Sequence, residues 1–207
     1  MEKVEVKSKY LYLLDGGHGD LDPITGLYVT SGKRSPMFDD GSVLYEGVEN
    51  RRKVRAIMAG MKAAGLECVD IVDTWKDMSL EKRVNKANKL GETRKCIYIS
   101  IHSDAYGEGW TSPSGIGVYR YTGSQVSASV AKVFRKHITD EFDGIALDRK
   151  IKEAKFYVLR YTTMPAVLLE FGFHSNKEES KRMMTIEWIA MVARSTVNAC
   201  KEIELAE

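Results

Sequence analysis

The sequence predicts an α/β fold: a three-layer sandwich, with a mostly parallel central sheet flanked by helices on both faces. Two observations carry that expectation. Short apolar runs alternate along the chain with segments of helical periodicity, the order from which parallel sheets are built. The run from Ala166 to Phe171 is also continuously apolar, as in a central strand buried on both faces.

Taken in order, Tyr10 to Leu14 is an apolar run closed by Asp15-Gly16-Gly17, a strand followed by a turn. Residues 16–45 are rich in Gly, Ser, Pro and Asp without periodicity, and a loop so long within a domain usually serves function. A helix is predicted from Glu46 to Ala64, stopped by Gly65. At about 100° per residue, Glu46, Asn50, Val54, Ile57 and Met61 share one stripe. Arg51, Arg52, Arg55 and Lys62 fall mostly on other faces. Glu67 to Val72 reads as a second strand, and Ser79 to Leu90 as a helix capped by Ser79. Cys96 to Ile101 is a third strand running into His102. Gly115 to Tyr121 is a further strand, with a helix from Gln125 to Phe142 behind it. Phe156 to Leu159 is a short strand or turn, and Lys177 to about Glu202 is helical.

The 207 residues suffice for one well-buried core, and no linker, repeat or low-complexity tract divides them. The expected organisation is a single domain over residues 1–207, with residues 1–8 as a flexible N-terminal tail. Net charge is +2, from 31 basic and 29 acidic side chains, which makes no electrostatic claim on nucleic acid or membrane. Cys68, Cys96 and Cys200 are odd in number and widely spaced, against both a disulfide framework and a thiolate zinc site. The first ten residues interleave charge with valine and lack the apolar stretch of a secretory signal, and no run is long enough to span a membrane.

Three segments place a ligating or acid–base side chain just beyond an apolar run: LYLLDGGHGD, CIYISIHSDA and PAVLLEFGF, contributing His18, His102 and Glu170. Strand ends of a parallel sheet open onto one edge, so residues remote in sequence can meet there. A catalytic zinc takes three protein ligands and leaves one position to water. His18, Glu46 and His102 supply two imidazoles and a carboxylate of that kind, and Glu170 could move the water's proton to a leaving amine. The implied chemistry is amide hydrolysis. Each residue also has a plainer reading. Either histidine alone can be a hydrogen-bonded loop residue, and Glu46 a first-turn carboxylate favoured by the helix dipole. Glu170 is harder to dismiss, because an acid ending a central apolar strand is costly unless paired or functional. His137 reads as a surface residue, and His174 as a substitute ligand, a substrate contact or a structural group.

These segments together resemble the zinc-dependent N-acetylmuramoyl-L-alanine amidases of the Amidase_3 family. LLDGGHGD stands where the family has a DPGHGG-like turn, and Glu46-Gly-Val-Glu-Asn50 matches its E-x-x-x-N helix start. Ser100-Ile-His102-Ser-Asp104-Ala matches its second histidine segment, and Pro165 to Asn176 matches the segment of its catalytic glutamate. Val158-Leu-Arg160 is also similar. The resemblance implies His18, Glu46 and His102 as zinc ligands, Glu170 as catalytic acid/base, and cleavage of the bond between the muramic acid lactyl group and L-alanine in peptidoglycan. Gly16 replaces the usual proline, Asp104 a common asparagine, adding negative charge near the metal, and His174 a usually apolar residue. The loop from Thr25 to Leu44, with Lys33 and Arg34, is most similar to loops of phage members. That basic pair reads as a contact for an anionic glycan-peptide or as a solvated loop tip.

The resemblance makes peptidoglycan the expected partner and zinc the expected cofactor; no nucleic acid, no stable membrane association and a monomeric chain are expected beside them. Synthesis in the cytoplasm without a signal peptide, and action on the wall after phage-type lysis, are the expected localisation. A zinc peptidase cutting within the stem peptide and a non-catalytic wall-binding module on the same fold are the alternatives.

Overall fold

The computed structural model describes residues 8–206. Its strands are β1 (Leu11–Gly16), β2 (Glu67–Asp70), β3 (Cys96–Asp104), β4 (Ile116–Tyr121), β5 (Asp148–Ala154) and β6 (Ala166–Phe173). The helices are α1 (Glu46–Ala63), α2 (Leu80–Gly91), α3 (Gln125–Glu141), α4 (Tyr157–Tyr161), α5 (Lys177–Met183) and α6 (Ile186–Leu205). One six-stranded sheet runs in the order β2-β1-β3-β6-β4-β5. The pairs β1/β2, β1/β3, β3/β6 and β4/β5 are parallel, and β4 lies antiparallel to β6. The α/β, mostly parallel sandwich is therefore as expected.

Side chains alternate between the two faces of each strand, and the two cores follow that alternation. Tyr12 and Leu14, Ile97, Ile99 and Ile101, and Val167, Leu169 and Phe171 pack with α1, α3 and α6. Leu11 and Leu13, Cys96 and Tyr98, and Ala166 and Leu168 pack with Val84 and Ala87 of α2 and Val158 and Leu159 of α4. The predicted stripe of α1 faces inward: Val54, Ile57 and Met61 are buried, as are Glu46 and Asn50. Gly65, at φ 72°, ends that helix with Leu66 N–H donating to Met61 O at 2.9 Å, the reverse-turn stop that only a residue without Cβ adopts freely. Ser79 caps α2 by accepting from Lys82 N–H.

Several expectations need correction. Residues 148–154 form a strand the sequence reading left out, and the strand or turn placed over Phe156–Leu159 is the short helix α4. The helix expected over Lys177–Glu202 is two, because Thr185 starts α6 by accepting from Trp188 N–H at 3.2 Å. Arg51, placed off the inward stripe, is buried nonetheless and donates to Thr74 O and Gly47 O at 3.2 Å. Lys53 is buried too, its ammonium 3.2 Å from Asn50 Oδ1. His137 is half-buried, with Nε2 2.9 Å from the Glu202 carboxylate. Of the tail expected over residues 1–8, residues 1–7 lie outside the described residues. Ser8 is tied down, donating to Tyr10 O and bonding Glu204 at 2.8 Å. No helix among the described residues is long and apolar enough to cross a membrane.

Ile57 is fully enclosed, so Ile57→Ala should cost about 2–5 kcal/mol in urea denaturation through lost contacts and a residual cavity. Ile24, 90% exposed, should tolerate the same change within about 0.5 kcal/mol.

Candidate active site

The site begins with the end of β1. Gly16 is in register with Ile101 of β3, and Gly17 N–H donates to Ile101 O at 3.0 Å. The turn therefore passes directly beside His102. A Cβ added at Gly17 would lie 2.1 Å from His102 Cε1, so only glycine leaves room for the ring. His18 follows in the left-handed region, at φ 66°, a conformation that costs a non-glycine residue free energy and clusters at functional positions. Its ring meets that of His102 edge-on, with centroids 5.1 Å apart.

Glu46 opens α1 between the two rings. It is 2% exposed, with Oε2 3.2 Å from His18 Nε2 and Oε1 3.1 Å from His102 Nδ1. Oε1 also accepts from Ser103 N–H at 3.2 Å and Asn50 Nδ2 at 3.4 Å. The Glu46–Asn50 spacing thus has a local cause, since one helical turn places the amide beside the carboxylate. Burial opposes the charge on Glu46, but the bonds from His102 and His18 outweigh it and hold the carboxyl well below its usual range. No side chain caps α1. Its first free N–H groups are taken by the preceding loop, Glu46 N–H by Lys33 O at 3.0 Å and Gly47 N–H by the Tyr28 hydroxyl at 3.0 Å.

Glu170 of β6 pairs in register with His102 of β3, which puts the two side chains on one sheet face. It is 9% exposed, and its Oε2 has no hydrogen-bond partner among the described residues. Burial pushes its carboxyl well above the ordinary range, and the nearby Glu46 and Asp104 charges add to the push. The negative charge of Asp104 is not left bare: Arg149 Nη2 lies 2.9 Å from it and 3.1 Å from the Tyr119 hydroxyl. The Arg149 guanidinium also stacks on the Phe173 ring, 4.3 Å from its centroid. Arg149 escaped the sequence reading because it stands on the unrecognised strand β5. His174 is buried behind Glu46, its Nδ1 3.1 Å from Ser103 O and 3.9 Å from Glu46 Oε2. Burial lowers its pKa.

Beneath the cluster is a second set of residues that the sequence reading missed. Arg83 of α2, 2% exposed, donates to Asp15 Oδ1 at 2.5 Å, Gly16 O at 2.9 Å and His18 O at 3.2 Å. The Tyr98 and Ser100 hydroxyls donate to Asp15 Oδ2 at 2.7 and 2.8 Å. Burial would raise the Asp15 carboxyl, yet Arg83 and the Tyr98 hydroxyl override it and bring the carboxyl below its usual range.

One ligand atom from each of His18, Glu46 and His102 lies within 4.8 Å of the others, so the three could hold a metal ion. The donor set fits: two imidazoles and a buried carboxylate are the hydrolytic zinc type, and the side away from Glu46 opens onto a cleft. That cleft, of about 670 Å³, is lined by His18, His102 and Glu170 together with Met78, Leu80, Phe156 and Tyr157. Such an arrangement can bind a chain-like substrate, polarise a carbonyl and shuttle a proton.

Fold and cleft together define a hydrolytic α/β enzyme. The family model for N-acetylmuramoyl-L-alanine amidase, Amidase_3, matches residues 13–202, and the chain belongs to that amidase family. It is 28% identical over 200 residues to the uncharacterized protein YqiI of Bacillus subtilis, covering 95% of this chain and 84% of that one. The endolysin of Bacillus phage SPP1 is 26% identical over 199 residues, which span 93% of this chain and 65% of the endolysin. In three dimensions the chain is similar to the catalytic domain of CwlV, an N-acetylmuramoyl-L-alanine amidase from Bacillus (Paenibacillus) polymyxa var. colistinus. The TM-score is 0.76 at 26% identity, over 96% of this chain and 99% of that domain.

Gly17→Ala should push the His102 ring aside and weaken metal uptake, measured by zinc titration, while far-UV circular dichroism stays native. Arg83→Met leaves the Asp15 carboxylate buried and unpaired, and should cost about 3–5 kcal/mol in denaturant unfolding. The Asp15 carboxyl is depressed in the folded state, so its contribution is complete above the usual carboxylate range and lost as pH falls through the folded value. Wild-type stability should therefore drop more between about pH 6 and about pH 3 than that of an Asp15→Asn, Arg83→Met double variant.

Proposed function

We propose that this chain is one catalytic domain that hydrolyses the amide between the N-acetylmuramic acid lactyl group and L-alanine in peptidoglycan, with zinc held by His18, Glu46 and His102. Bound there, zinc supplies a water acidified to about neutral pH and a Lewis-acid pull on the scissile carbonyl. The protein's own groups do the rest. Glu46, charged and buried, keeps both imidazoles oriented. The apolar side chains of Met78, Leu80, Phe156 and Tyr157, which line the same cleft, give the glycan-peptide a surface to lie against. Glu170 takes the proton of the attacking water on its free Oε2 and delivers it to the departing L-alanine nitrogen, one group acting first as base and then as acid. The observation that carries the reading is this buried, unpartnered carboxyl oxygen in register with His102, because such an atom is costly unless chemistry uses it. The likeness to the SPP1 endolysin supports a wall-degrading role.

Digestion of purified sacculi with and without a chelator, read by mass spectrometry, tests the proposal. Intact stem peptides beginning with L-alanine should appear, vanish with chelator and return with added zinc. Fragments cut within the stem peptide would instead indicate a zinc peptidase. Glu170→Gln should keep its zinc yet lose about 10²–10⁴-fold in kcat, the range for one positioned acid–base group. Full turnover in that variant would sink the assigned role.

A further inference from the structure

Lys33 and Arg34 stand in the loop ahead of Glu46, and the fold sends them to different places. Lys33 lines the cleft together with His18, His102 and Glu170. Arg34 lines a separate depression beside His174. The main chain at Lys33 is fixed rather than free: its carbonyl accepts from Glu46 N–H at 3.0 Å, and Arg34 forms an isolated bridge with Tyr45. The backbone that carries this lysine is thereby held one hydrogen bond from the residue at the centre of the metal cluster. Its side chain is exposed and has no carboxylate partner among the described residues. The other cation on the cleft wall, Arg83, is engaged by Asp15 and Asp77. Lys33 is therefore the positive group still able to take a charge from a bound molecule.

The chemistry of the substrate says where that charge is. The lactyl carboxyl is consumed in the scissile amide, and sugar hydroxyls and acetamides are neutral. Negative charge near the bond therefore lies on the peptide side, on the residue after L-alanine, whose carboxylate is free in some walls and amidated in others. Resting on the amidase reading above, the geometry points to Lys33 as a substrate-positioning residue that pairs with this free carboxylate and sets a preference for acidic over amidated stem peptides. An ammonium suits the task as a point charge on a flexible stem, able to follow the peptide as it settles.

The test uses the zinc-loaded full chain and two soluble muropeptides that differ only in whether the carboxylate after L-alanine is free or amidated. The wild type should favour the free acid in kcat/KM by about threefold to tenfold, the size of one solvent-accessible charge-assisted contact. Lys33→Ala should erase the preference, the change residing in KM, Lys33→Glu should invert it, and Lys33→Arg should restore it. Raising the salt concentration should shrink the wild-type preference. A wild type indifferent to amidation overturns the proposal. So does a series in which Ala and Glu lower both substrates by one common factor, the mark of a loop effect. If the wild type frees no L-alanine amine from either muropeptide, the amidase reading itself has failed, an outcome distinct from cleavage without charge preference.

Discussion

Arg83 reaches from the first turns of α2 beneath the end of β1, where its guanidinium bonds the Asp15 carboxylate and the carbonyls of Gly16 and His18. The chain between those acceptors is the turn that delivers His18, so its course is set by one planar fork of donors. A flexible turn would let His18 leave the left-handed region, since φ 66° is uphill for an imidazole-bearing residue. The fork removes that freedom. Buried ion pairs seldom add net stability over apolar packing of the same volume, because both charges must be stripped of water. What this pair does is tie Asp15, Gly16 and His18 to one guanidinium, and the His18 ring at the end of that turn meets Glu46 and His102.

The same logic extends through the loop before α1. A helix that begins without a side-chain cap leaves backbone N–H groups seeking acceptors. Here Lys33 O and the Tyr28 hydroxyl meet them, and the Tyr28 ring packs on that of Tyr45 at 4.6 Å between centroids. The helix start orders the loop, and the loop fixes the carboxylate that opens the helix. Approach is close: a Cβ added at Gly47 would lie 1.8 Å from Gly19 O, so α1 packs directly on the backbone of the histidine turn. Helix, loop and turn form one unit, which is why residues 16–45 can be long and irregular without detaching the site.

What could be read in the sequence divides along physical lines. Apolar runs ending in His18, His102 and Glu170 were legible because strand ends on a parallel sheet share an edge, and the stripe of α1 because helical period is local. Strand β5 was not. Asp148–Ala154 is an edge strand paired only with β4 and half-exposed, so burial imposes no apolar pattern on it. Arg149 was lost with it. The break between α5 and α6 was hidden because apolar residues continue across Met184, and only the Thr185 hydroxyl marks the new start. The burial of Arg51, Lys53 and Arg83 had no signal in the sequence, since their partners Thr74, Asn50 and Asp15 are set by the fold or by burial rather than by charge pattern. Asp104 read as added negative charge for the same reason, its partner Arg149 lying 45 positions along the chain on an unseen strand.

The position of the cleft follows from unequal cover of the two sheet faces. One face carries α1, α3 and α6, of 18, 17 and 20 residues, each long enough at about 1.5 Å per residue to run the length of the strands. The other carries α2 and α4, of 12 and 5 residues, which stop short. Along that thinner face each central strand changes character in the same direction. Leu11 and Leu13 give way to Asp15, Cys96 and Tyr98 to Ser100 and His102, and Ala166 and Leu168 to Glu170. Where helices cover the face the strands are apolar, and where the cover ends they become polar and the cleft opens. A sheet selected only for stability would continue its apolar pattern or extend the helices to hide it. Keeping buried acids and imidazoles at an uncovered edge instead costs desolvation that only binding or chemistry there would repay.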